Sequence, residues 1–227
     1  MSLTAPNANL PTASSFECLL ADIDDRARAA VAPLVGAAAG NCDQPDKLVA
    51  DAVHFLTILH AELPSLIDVV GARDAELEGR LEPAANAFNE DRRWLADLAI
   101  ATGPHTDLAD LTTAETTVRA IRDSMLTLGE STRDGCAEGG LLTFLIDWPT
   151  LRAALDGGGT LAFSHQWPSP PTGWPDTLSG DVADSLEVHF AAPATARALG
   201  FGAQQVSMMH AQMFELVAAR AAVRRAD

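Results

Sequence analysis

The stretch DAVHFLTILHAELP, residues 51–64, decides how this chain is read. Its apolar residues recur at helical rather than alternating spacing. Leu48, Val49, Ala52, Phe55, Leu56, Leu59 and Leu63 fall in one stripe about 120° wide at about 100° per residue. On the same wheel His54 lies about 200° from the stripe's centre and His60 about 80° from it. The two imidazoles therefore face directions about 120° apart, two turns apart along the axis, and a straight helix does not offer both to one metal ion. Lys47, Asp51 and His54 read as a charged cluster on the polar face. A competing reading comes from the run between Ala52 and Ala61, where only His54, Thr57 and His60 are not apolar. A helix covered on several sides, at the centre of a bundle, would bury His54 and demand a partner for it.

Outward from this segment the helical period continues. One helix is expected over 15–40, with Ser14 or Ser15 as cap and Gly40-Asn41 as stop. The helix carrying the histidines starts near Asp43-Gln44-Pro45 and runs toward Val70, kinked or broken at Pro64. A third spans about 74–101 and contains Pro83. A fourth begins at Thr112-x-x-Glu115, a capping-box spacing, and reaches Arg133. Its extension to Ile146 is weakened by Gly135, Gly139 and Gly140, about 1 kcal/mol each. Asp147-Trp148-Pro149 reads as the cap of a short helix ending at the glycines 157–159. A final helix is expected from about Gly202 to Arg225, with Val206, Met209, Met213, Leu216 and Val217 on one stripe, after a short one following Pro193. Between them, 157–191 is rich in tryptophan and proline. Leu161 and Phe163, and then Leu186, Val188 and Phe190, alternate there, so a short β-hairpin is expected near 160–190.

Composition agrees with a mainly α class. Hydrophobic residues make up 48%, much of it alanine, while aromatics are only 5% and tyrosine is absent, too few for a typical sandwich of strands. The expected architecture is an up-and-down antiparallel bundle of about five main helices, because short connections favour antiparallel neighbours. Residues 1–14 are expected to form a disordered arm before a single domain over 15–227, with 157–191 as an irregular insertion or lid.

The net charge of −16, from 31 acidic and 15 basic residues, opposes binding to nucleic acid and to anionic membranes. No apolar run reaches the ~18 residues of a membrane span, and the first residues lack a secretory signal, so a cytoplasmic location is expected. Cys18, Cys42 and Cys136 show no CxxC spacing and are expected as buried free thiols.

No glycine-rich phosphate loop and no nucleophile motif occurs. Two kinds of site remain. A pocket between helices would draw on His54, His60, Trp94, Trp167 and His210, with Trp148, Trp167 and Trp174 capping the core or forming a lid. A non-haem metal site of the ferritin-like kind would use Asp51, His54, Glu90 and Glu130. It lacks the Glu-x-x-His motif that such sites carry, since Asp51-x-x-His54 is the nearest spacing. A haem would need one axial histidine, from His54, His60 or His210. The run Glu90, Asp91, Arg92, Arg93, Trp94 reads as a solvated helix face. The leading expectation is a binding or interaction module without cofactor or catalytic machinery. Its partner would be a protein or a small apolar ligand, or a second copy joined through the methionine-rich last helix.

The phrase LHAELPSLID, 59–68, followed by a helix bearing arginines and a tryptophan, resembles uncharacterised bacterial helical-bundle proteins grouped as a domain of unknown function. The resemblance covers about residues 15–155. It implies a helical fold and no particular activity, and it assigns no functional residue.

Overall fold

The computed structural model describes residues 15–73, 75–104, 111–174, 182–184, 186–187 and 192–226. The expected arm at 1–14 lies outside them. Every main element is a helix: α1 (Ser15–Ala30), α2 (Ala32–Ala38), α3 (Pro45–His60), α4 (Leu66–Gly71), α5 (Ala75–Thr102), α6 (Leu111–Gly129), α7 (Cys136–Phe163) and α8 (Pro193–Ala226). A single 3-10 turn, Ser164–Gln166, follows α7. One apolar core runs from Phe16 to Ala221 and takes side chains from all eight helices.

Local chemistry explains most boundaries. Pro33 sits in the first turn of α2, where its missing N–H leaves no helical bond unmade, so the expected first helix divides at Val31. Pro64 ends the histidine helix, and Ser65 then caps α4 in a full capping box with Asp68. Gly135, at φ 86°, starts α7 from a left-handed conformation that suits glycine.

Three expectations need correction. The glycines 157–159 do not end a helix, because α7 continues to Phe163. Leu161 and Phe163 are therefore helical, and no strand occurs among the described residues; Val188 and Phe190 lie outside them. The last two predicted helices are one, from Pro193 onward.

The topology also departs from a simple up-and-down bundle. Gly139 meets Leu199, Thr143 donates to the Ala203 carbonyl at 3.3 Å, and Asp147 meets His210. Residue numbers climb together, so α7 and α8 run parallel. Val49 packs on Gly158 while His60 packs on Phe144, so α3 runs against them. Phe88 lies on Phe144 and Asp91 reaches Trp148 and Arg152, so α5 runs with α7. Consecutive parallel helices need a return path. Thr195, near the start of α8, packs on Gly135 at the start of α7. Phe163 and Pro193, the ends of the two helices, therefore lie about a full length of α7 apart, about 42 Å for its 28 residues. Trp167 folds back onto Gly159, and the Pro168 carbonyl accepts from the Trp94 indole at 3.0 Å.

The glycines that looked like helix breakers mark places where α7 has no room for a side chain. A β-carbon on Gly139 would stand 2.0 Å from the Leu199 carbonyl oxygen, and one on Gly202 1.9 Å from that of Cys136. The α7–α8 crossing is thus a contact of backbone on backbone. Gly159 is likewise filled by the Trp167 ring, 2.0 Å from where its β-carbon would be. Gly157, in the same helix, is exposed with nothing within 4 Å. Gly139→Ala and Gly202→Ala should each lower the unfolding free energy by about 3 kcal/mol or more through forced separation of the helices. Gly157→Ala should raise it by about 0.5–1 kcal/mol through propensity alone. Urea denaturation of the three variants checks both signs.

Candidate functional site

The centre of the bundle is polar. His60 closes α3, His210 lies in the middle of α8, and Asp147 follows the apolar run of α7. Asp147 Oδ2 accepts from His210 Nδ1 at 2.7 Å, and His210 Nε2 lies 3.2 Å from His60 Nε2. The rings are 3% and 1% exposed for His60 and His210, and Asp147 is 1% exposed. Around His60 stand Phe144, Trp148 and Phe88, with ring centres at 5.3, 5.4 and 6.2 Å. Burial is the main force holding the His60 imidazole well below its usual pKa, reinforced by its neighbours His210, Arg92 and Arg122. His60 is therefore neutral, and the chain carboxylate–imidazole–imidazole is satisfied by a single N–H between the rings.

Two further ionic groups flank this chain. Asp91 accepts from the Trp148 indole at 2.7 Å and lies 3.0 Å from Arg152, off the line of a hydrogen bond. Burial raises its carboxyl, and the Trp148 bond and the Arg152 charge pull part of the way back. Arg92 caps the end of α3 by donating to the His60 carbonyl at 3.3 Å, and also donates to Asn89 at 2.7 Å and Asp68 at 3.2 Å. Burial raises Asp68 too, but the bonds from Ser65 and Arg92 outweigh it and leave that carboxyl below its ordinary value. Farther along, Asp51 is held by Arg220 at 3.2 Å and Arg224 at 2.8 Å.

The candidates read from sequence are divided by this geometry. His60 and His210 meet, whereas His54 points elsewhere and bonds Glu115 on α6 at 2.7 Å, with about a quarter of its side chain exposed. Trp94 and Trp167 are buried in the core, the first tied to Pro168 and the second laid over Gly159. Asp51, expected on a polar face, is fully buried, because α3 is packed by α5, α6, α7 and α8. Asp91, Arg92 and Trp94, expected on a solvated face, are buried too, and only Glu90 and Arg93 of that turn are exposed. Asp51, His54, Glu90 and Glu130 do not converge: Asp51 faces arginines, His54 faces Glu115, and Glu130 lies in the exposed turn after α6. Among the described residues no three His, Cys, Asp or Glu form a group that could hold a metal. Of the three free cysteines only Cys136 is buried.

Asp147 was overlooked because Asp-Trp-Pro reads as a helix cap. The signal was a lone carboxylate directly after the apolar run LLTFLI. A second feature had no forecast at all. Where α1 gives way to α2, their small residues stand back from α8 and leave an open cleft of about 440 Å³. Ala29, Ala30, Pro33, Met208, Ala211 and Ala218 are among its lining residues, with Arg26 and Glu215 beside them.

A model of the family of unknown function DUF6975 matches residues 22–225. The chain belongs to that family. No curated protein and no solved structure matches it significantly. Membership confirms the resemblance seen in the sequence and brings no activity with it. No helix among the described residues is long and apolar enough to cross a membrane.

Two outcomes follow for the buried centre. His60 is neutral when folded but titrates near 6.5 when unfolded, so its contribution is complete above that pH and is lost as pH falls. Unfolding free energy should drop from pH 6.5 to about 5, approaching 1.4 kcal/mol per pH unit for one proton. His60→Leu should flatten that slope. Asp91, raised, gives the opposite slope only at lower pH, in the carboxylate range. Asp51→Ala should lower the unfolding free energy by about 3 kcal/mol, since it removes the buried carboxylate that Arg220 and Arg224 share. Denaturant titration as a function of pH measures both.

Proposed function

We propose that this protein is a binding module with no reaction centre of its own, and that it works through the cleft between α1–α2 and α8. The observation that carries this reading is the cleft itself. Its volume of about 440 Å³ falls within the range of small-molecule and side-chain pockets, about 300–1,000 Å³. Its walls are mostly apolar, and Met208 is 41% exposed there. An exposed large apolar side chain beside a preformed cavity is a place where a second apolar surface gains by leaving water.

The buried centre supports the same reading by contrast. Its Asp147–His210–His60 chain has the order of an acid–base relay, but it ends on the imidazole of His60. Aromatic rings pack around His60, where a haem face would have to lie. Among the described residues no third donor joins the two imidazoles in a metal-holding group, and ordinary metal sites take three or four protein ligands.

The test uses an uncharged apolar dye, N-phenyl-1-naphthylamine. Its fluorescence should rise saturably with the wild-type protein, with a Kd on the order of 10–100 µM for a ligand of that size. Ala211→Trp, which fills the cleft, and Met208→Asp, which makes its wall polar, should each remove the response while leaving the circular dichroism unchanged. Equal dye binding by all three proteins, or none by the wild type, would overturn the proposal.

A further inference from the structure

Resting on that reading, we infer that the occupant of the cleft is an amphipathic helix of a partner protein, with basic residues flanking its apolar stripe. The shape argues for a helix. The α8 wall runs from Ser207 to Ala218, about 17 Å, and Phe201, 47% exposed, continues the same face two turns earlier. Phe201, Met208 and Glu215 follow at intervals of seven, a straight stripe along one side of α8. Such a strip is longer than a compact ligand of the cleft's volume and fits a helix of about 11–17 residues. The lining supports it as well. Ala29, Ala30 and Pro33 on one side and Ala211 and Ala218 on the other leave gaps of side-chain width, into which leucine-sized knobs at i, i+3, i+4 and i+7 pack.

The charge of the partner follows from what is already neutralised. Arg26 is matched by Asp22 of its own helix at 2.8 Å. Glu215 has no ion-pair partner among the described residues. The uncompensated charge beside the cleft is thus a carboxylate, and the whole chain carries −16. That field draws a cationic segment toward the cleft and repels an anionic one. It also opposes a second copy of this chain, whose own charge is the same.

The experiment uses a fluorescein-labelled 18-residue helix of leucine and lysine, with leucines at i, i+3, i+4 and i+7, and a twin with glutamate for each lysine. Fluorescence anisotropy should show micromolar binding of the lysine peptide and binding at least tenfold weaker of the glutamate peptide. Ala211→Trp, with charge unchanged, should abolish binding, and Glu215→Lys should weaken it threefold to tenfold. Lysine-peptide binding that survives Ala211→Trp would be mere attraction to an acidic surface and would overturn the inference. Apolar-dye binding in the cleft with no peptide preference would sink the basic helix but leave the binding module standing. Failure of dye and peptide together would remove both. Light scattering that shows a dimer dissolved by Ala211→Trp would assign the cleft to a second copy instead, and would likewise overturn the basic helix.

Discussion

The backbone contact between α7 and α8 is the constraint on which the rest of the structure depends. Gly139 and Gly202 let the two helices touch without side chains between them, at a separation no other residue allows. Because the helices are parallel and rise equally per residue, positions beyond the crossing stay level. Asp147 lies eight residues past Gly139, and His210 eight past Gly202, and their side chains meet at 2.7 Å. The parallel course also sets the end of α7 and the start of α8 at opposite ends of the bundle, and Trp167 covers α7 at Gly159.

Around this crossing the bundle gives each of three buried carboxylates a partner. Asp147 faces His210, Asp91 faces Trp148 and Arg152, and Asp51 faces two arginines. Such groups add little net stability, since desolvation offsets much of the attraction. They do penalise any register in which a charge loses its partner. In an alanine-rich chain, where helices could slide with little change in packing, these pairings set one register for α3, α5, α7 and α8. The requirement that His60 stay neutral is a consequence of the same burial, and it makes the register sensitive to acid.

A fixed α8 gives the cleft its shape. One side of that helix, with Val206, Met213 and Val217, is locked in the core, and the opposite side presents Phe201, Met208 and Ala211 outward. The stripe facing the cleft thus stands on an element whose position is set by the polar centre. A preformed surface of this kind loses little ordering entropy when a partner docks. The acidic net charge then acts at longer range, favouring cations near the open face.

The sequence alone determined the helical class, most helix starts, and the divergence of His54 from His60. These rest on local physics: periodicity, proline and capping geometry, and the 100° step of the helix. Tertiary structure decided the direction of α8, the continuity of α7 through three glycines, the burial of Asp51 and Asp91, and the meeting of His60 with His210 across 150 residues. A glycine's local cost is the same whether it ends a helix or admits a neighbour, and a carboxylate's polarity is the same whether water or an arginine faces it. Only the partner element settles which is true, and partners far apart in sequence leave no periodic mark in the chain.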